Sequence, residues 1–271
     1  GLRGGKASLG IITEVVIELL PIPKIYGGAI YFDGADAAGL LRAWRDWAAD
    51  LPREASTSAA LMRLPEMPGV PPVLAGRLTL AVRFATASDA DTAAGMLAPM
   101  RAVATPLLDG VATIPYAAVA AVHADPTVPM PALEASTLLR DFTDGTIDAI
   151  VSAAGPQSSS PLAIVEVRQF GGALTDEQAV RSALCHRDSA FQLFAVGVLA
   201  PPIADLVPAA VAELLAAVGP WSTGTSLPNF TPSGDPDMIR RCYDGDTYAW
   251  LAALAARLDP RGVLHTGQVV R

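Results

Sequence analysis

The sequence predicts an α+β fold: one antiparallel sheet from two β-α-β-β-α units, with helices on one face. Three observations predict it. The 271 residues are 51% hydrophobic and 17% charged, a globular composition with enough chain to bury a core. The order strand, helix, strand, strand, helix is legible twice. Several strands alternate an apolar face with a mixed one.

The elements follow in chain order. A glycine-rich turn, Arg3–Gly10, feeds the β-branched run Ile11–Leu19, which predicts a strand ended by Pro21 and Pro23. Ile25–Phe32 reads as a strand. Asp36 then caps a helix whose apolar positions Leu40, Leu41, Trp44, Trp47 and Ala48 share a face. Thr57–Leu64 and Arg77–Ala85 read as strands joined by a proline-rich turn, and Asp89–Met100 as a helix. The second unit has a strand at Ser136–Phe142 and a helix at Asp144–Ala154, with Asp144 at its start and Gly155 past its end. Strands at Leu162–Phe170 and Ala190–Ala200 and a helix at Ala204–Val218 complete it. Trp221–Asp235 reads as a loop, Tyr243–Leu258 as a helix and Asp259–Gly262 as a turn.

Composition excludes some functions. The net charge of -8 repels phosphate backbones, which argues against nucleic acid. Cys185 and Cys242 are distant and form no CxxC pair. They read as thiols of a reducing compartment, so a cytoplasmic location is expected. The three histidines are scattered without metal-ligand spacing, so no metal is expected. Apolar stretches are too short to span a bilayer, and the N-terminus lacks a signal-peptide core. The chain begins on Gly1 without a Met, and a piece of something longer is the expectation.

Strand alternation nominates a site. Arg77, Thr79, Ala81 and Arg83 share one face of their strand; Ile164, Glu166, Arg168 and Phe170 share one face of theirs. These mixed faces would look toward solvent, a ligand or another domain. Arg77, Arg83, Glu166, Arg168 and Gln192 are therefore the candidate substrate wall. A solvated face laced with ion pairs gives the same pattern. His186, beside Arg187 and Asp188 at a strand start, is the candidate catalytic base, although a structural hydrogen-bonder fits that position too. His123 and His265 carry no pattern. Tyr116 and Tyr243 would accept a proton only with a reacting group placed beside them; surface or packing roles fit them too.

Six segments resemble a known family. Arg3-Gly4-Gly5-Lys6-Ala7-Ser8-Leu9-Gly10-Ile11-Ile12-Thr13 is similar to the segment that closes the FAD-binding domain of berberine-bridge-type FAD-linked oxidases of the vanillyl-alcohol-oxidase superfamily. Ile114-Pro115-Tyr116, Glu166–Ala173, His186–Phe191, Asn229-Phe230 and Arg257-Leu258-Asp259-Pro260 resemble further motifs of that family, in the same order. Two positions depart from the pattern. Ala7-Ser8-Leu9 stands where the family has Gly-Asn-Phe. Leu227-Pro228-Asn229 stands where many members carry a Tyr-x-Asn whose tyrosine is a base, a role that leucine cannot fill. Thr266-Gly267-Gln268 is a loose match to the family's last motif.

The resemblance implies a layout. Residues 1–24 would be the last segment of an FAD-binding domain, 25–220 the substrate-binding cap, and 221–271 a return segment toward the FAD-binding domain. Arg3, Gly4, Gly5, Gly10 and Asn229 would touch the cofactor, FAD. A small-molecule substrate would lie between the flavin and the cap sheet and give up a hydride. The family's pyrophosphate loop and flavin-linking histidine have no counterpart in this sequence. The N-terminal FAD-binding domain is thus an expected partner, and this chain alone is expected to be inactive. An uncovered cap would associate with itself, which makes a homodimer the expected assembly. The alternative is an orphan, non-catalytic binding domain.

Overall fold

The computed structural model describes residues 1–126, 128–176, 180–265 and 267–271. Its strands are β1 (Lys24–Asp33), β2 (Ala55–Arg63), β3 (Leu78–Thr86), β4 (Leu108–Asp109), β5 (Ala112–Pro115), β6 (Ala132–Leu139), β7 (Ile164–Gln169) and β8 (Phe191–Val198). Its α-helices are α1 (Ala37–Ala49), α2 (Ala90–Arg101), α3 (Asp144–Ala154), α4 (Val207–Ala217), α5 (Pro236–Arg240) and α6 (Gly245–Leu258).

The strands form one antiparallel sheet in the order β4-β1-β3-β2-β7-β8-β6, with β5 also pairing with β1. The first unit contributes β1-β3-β2 and the second contributes β7-β8-β6. Each unit puts its first strand outermost, and the two join at the β2–β7 seam. The helices cover one face. Ile30, Phe32, Leu61, Leu80, Val82, Phe84, Val165, Val167 and Leu193 pack there against Leu41, Trp44, Leu97, Met100, Ile147, Ile150 and Leu214. The period-2 alternation of strands and the 3.6-residue period of helices thus meet in a single apolar layer.

Local chemistry sets the helix starts. Asp36 Oδ1 accepts from the Gly39 N–H at 3.0 Å, and Asp89 Oδ1 accepts from the Asp91 and Thr92 N–H groups. Helix α3 is capped by Thr143, one residue before Asp144. Thr143 and Thr146 satisfy each other's backbone N–H groups in a reciprocal capping pair. The Asp144 carboxylate pairs instead with Arg45, at 2.6 Å, across to α1.

The β-branched run Ile11–Leu19 corrects the sequence reading: it is not a strand. Residues 10–23 have no regular structure, and Ile11, Val15, Val16, Ile17 and Leu19 are exposed. A strand exists only through a paired neighbour, and no described strand of this chain pairs with this segment.

A second, smaller core joins the two ends of the chain. Ala183, Cys185, Ile239, Cys242, Tyr243, Tyr248, Leu251 and Val270 are buried together, with Leu9 against them. Ser8 is fully buried, and its Oγ accepts from the Val270 N–H at 2.9 Å. The first residues therefore pack on α6 and the C-terminus, while the arm that follows them is bare.

Candidate functional site

The face of the sheet opposite the helices carries a polar row. Reading the register from β1 to β6, the residues directly abreast are Ala29, Arg83, Ser58, Arg168, Gln192 and Leu138. The next row on that face is Tyr31, Ala81, Ala60, Glu166, Phe194 and Ser136. The alternation predicted from sequence therefore brings Arg83, Glu166, Arg168 and Gln192 together. Arg77 is left out. It lies six residues before Arg83, about 20 Å away along a strand, is half-exposed, and faces Asp33 at 3.9 Å.

Glu166 is the hub and is 2% exposed. Its Oε1 accepts from Ser58 Oγ at 2.6 Å and from Arg83 Nη1 at 2.7 Å. Its Oε2 accepts from Arg168 Nε at 2.9 Å and Nη2 at 2.8 Å. Burial opposes ionisation, but the charges of Arg83 and Arg168 and the bond from Ser58 outweigh it. They hold the carboxyl below the ordinary range. A carboxylate so occupied is an anchor and not a proton acceptor. Burial pushes the Tyr31 hydroxyl up, against the charge of Arg83.

The polar face is not the open wall expected from sequence, because two segments of the same chain fold over it. The first is the 3-10 segment Tyr116–Val122, whose Val122 is buried and comes close to Gly27 of β1. The residue after it, His123, places Nδ1 3.9 Å from Glu166 Oε1. The second is the turn at 226–231. Ser136 Oγ donates to the Phe230 carbonyl at 2.7 Å and pairs with Ser226 Oγ at 2.5 Å. The Phe230 ring meets Phe194 edge-on at 5.3 Å, and the Arg168 guanidinium stacks over it at 4.9 Å. Gln268 bonds the Pro228 and Thr231 carbonyls and fixes the turn from the other side; Thr266 of the same motif lies outside the described residues. His123, Arg168, Tyr31, Phe194 and Phe230 stay partly exposed. Both amide atoms of Gln192 and Nε of Arg83 are buried with no hydrogen-bond partner among the described residues. Such orphans are costly and mark a place for water or a polar ligand.

The turn Arg3–Gly10 divides in two. The Arg3 carbonyl accepts from the Ala183 N–H at 2.7 Å. Gly4 has φ +87°, and a Cβ there would lie 2.5 Å from the Leu184 nitrogen. Gly5 is buried against Gly1 and Leu251. These glycines serve close packing within the chain. Gly10 makes no close approach. Lys6 points outward, and its Nζ donates to Asn229 Oδ1, both residues being exposed. Asn229 adjoins Phe230, so the turn and the sheet face expected from the resemblance meet at Asn229-Phe230.

The other sequence candidates lie elsewhere. His186 has φ +58°, a conformation uncommon outside glycine, and its Nε2 is buried with no hydrogen-bond partner among the described residues. It directly follows Cys185 of the second core, whose thiol donates to Asp244 at 3.1 Å. Nothing brings it to the polar row. The Tyr243 hydroxyl donates to the Gly4 carbonyl at 2.9 Å and is pushed up by burial, which disqualifies it as a base. Tyr116 is exposed. Sequence reasoning gave His123 no role. It sits in an irregular segment without periodicity, and only the fold carries it to Glu166.

The exposed Lys6 and Asn229 side chains carry an amine and an amide, groups chemically suited to the polar edge of an isoalloxazine with its carbonyl and N–H groups; Gln192, fully buried, is out of its reach. A backbone cradle for a dinucleotide's phosphates is not found among the described residues. No described cluster of His, Cys, Asp and Glu could hold a metal ion, and no described helix is long and apolar enough to cross a membrane.

No protein-family profile matches the chain, and no curated protein sequence matches it. Solved structures do match its fold. 6-Hydroxy-D-nicotine oxidase from Arthrobacter nicotinovorans is similar over 100% of this chain and 60% of its own, with a TM-score of 0.80 at 20% identity. A chitooligosaccharide oxidase is similar over the same shares, with a TM-score of 0.75 at 17% identity. A variant of berberine bridge enzyme is similar over 94% of this chain and 57% of its own, with a TM-score of 0.71 at 11% identity. The chain thus has the fold of the berberine-bridge-type FAD-linked oxidases and spans about 60% of the length of these structures.

Proposed function

We propose that this chain is the substrate-binding portion of an FAD-dependent oxidoreductase, one that passes a hydride from a small organic substrate to flavin. One observation carries the reading: the exposed Lys6–Asn229 pair and the polar sheet face adjoin through Phe230, so a flavin edge and a substrate have contiguous surfaces to occupy. The flavin supplies the redox chemistry. The chain's own residues bind and orient. The Phe194 and Phe230 rings offer apolar area, the Arg168 guanidinium a charged edge, and Glu166 fixes that guanidinium by two hydrogen bonds.

The bare arm Ile11–Leu20 supports a partner. An exposed β-branched stretch with no strand partner among the described residues suits addition to the sheet of an FAD-binding domain of the same protein. Left uncovered, the same arm favours a homodimer. Without a phosphate cradle, this chain alone would not turn over. Its two buried, unpaired cysteines fit a reducing compartment such as the cytoplasm.

The test is made on the complete gene product. Flavin absorbance bands are expected, bleached by substrate without oxygen, and Phe230→Ala should raise KM about tenfold, the loss of one aromatic stack. A product that binds no flavin, or a variant that binds substrate as before, would refute the reading.

A further inference from the structure

Oxidation of an alcohol or amine by hydride loss leaves a proton to be placed. The substrate gives up a C–H bond with its electron pair, which the oxidised flavin takes, and an O–H or N–H proton as the C=O or C=N bond forms. That proton needs an acceptor on the protein side. Resting on the oxidoreductase reading, we propose that His123 is this acceptor: its Nε2 takes the proton, and Glu166 faces its Nδ1 and holds the resulting imidazolium.

The placement supports each part. Val122 is buried on the sheet and fixes the end of the 3-10 segment. The His123 side chain is 31% exposed and feels the charge of Arg168, while Glu166 is 2% exposed. Nδ1 lies 3.9 Å from the carboxylate, an ion-pair distance rather than a hydrogen bond, and a ring with its proton on Nδ1 would turn that N–H toward Glu166 and leave the Nε2 lone pair free. A carboxylate at that distance stabilises the charged ring through its field. The other acid–base groups of the face are unsuited: Glu166 is occupied by three side chains, and the Tyr31 hydroxyl is pushed up.

Burial is the largest influence on His123, and with Arg83 it holds the imidazole below its ordinary value. The charges around the ring come from three elements. Arg83 on β3 and Arg168 on β7 disfavour its protonation, while Glu166 on β7 and Asp125 on its own segment favour it. Tyr31 of β1 shares the Glu166 row and stays neutral. His123 is therefore neutral at neutral pH, the state a base requires.

The test has two arms, both on the flavin-loaded complete gene product. Nitrogen-15 shifts of the imidazole report tautomer and protonation without turnover. An Nδ1–H neutral ring is expected, titrating below a free histidine, with its midpoint lowered further in Glu166→Gln. A ring charged at neutral pH, or one protonated on Nε2, overturns the proposal. In the second arm, the anaerobic rate of flavin reduction by the alcohol or amine that the wild type oxidises is followed against pH in His123→Gln. A loss of about 100-fold or more is expected, with substrate affinity little changed and the acid limb of the profile removed. Loss of rate with the acid limb intact assigns His123 a structural role and overturns the proposal. A wild type whose flavin no alcohol or amine reduces refutes the oxidoreductase reading itself, and His123 as its proton acceptor falls with it.

Discussion

Replacing Arg83 by methionine should destabilise the chain by about 3 kcal/mol near neutral pH. Arg83 and Glu166 are 3% and 2% exposed and 2.7 Å apart. Removing one partner of a buried pair costs about 3–5 kcal/mol, because the other charge stays buried without compensation. The lower end applies here, since Glu166 keeps Arg168 and Ser58. With about 2–4 °C per kcal/mol for a domain of this size, the melting point should fall by about 6–12 °C. The penalty also depends on pH. Glu166 has a folded pKa below its unfolded value, so its contribution is full above the unfolded value and is lost as pH falls through the folded one. Without Arg83 the carboxyl protonates more readily in the folded state. The gap between variant and wild type should therefore narrow below about pH 4.5, the ordinary glutamate range. Replacing both residues with apolar ones, Arg83→Met with Glu166→Leu, should recover most of the loss. Urea melts at neutral and acid pH decide the matter. A single-variant loss below about 1 kcal/mol, independent of pH, would mean that the pair is solvated and the hub reading is wrong.

Other outcomes follow from the same structure. Trp44→Ala should cost about 3–5 kcal/mol by chemical denaturation, because Trp44 is fully buried, meets the Phe142 and Phe191 rings edge-on, and donates Nε1–H to Thr57 Oγ1 at 3.0 Å. Asp244→Ala should cost about 1 kcal/mol, since Asp244 caps α6 through the Thr247 N–H at 2.7 Å. Its folded pKa is depressed by that bond and the one from Cys185, so this contribution should fade as pH falls through the folded value. Gly4→Ala should cost about 1–3 kcal/mol in a melt, because φ is +87° and the added Cβ meets the Leu184 backbone. Cys185 should alkylate far more slowly in the folded chain than in urea at mildly alkaline pH, since burial raises its thiol pKa.

The layers were legible in the order of residues. Helix caps such as Asp36 and Asp89 are local, so their spacing to the apolar stripes was readable. Alternation along β3 and β7 told which residues share a face, because a strand's period of two is set by its backbone. That put Arg83, Glu166 and Arg168 on one side of the sheet. What covers that side came from long-range packing. The 3-10 segment ending at Val122 and the turn at 226–231 have no periodicity, and their approach depends on contacts such as Ser136 to Phe230, between residues 94 positions apart. The same holds for the Ile11–Leu19 run. Its composition favours a strand, but pairing is a property of two segments, and no described strand lies beside it. His123 is the clearest case: one histidine in an irregular stretch carries no signal, and it becomes a candidate base only when the fold sets it 3.9 Å from a buried carboxylate.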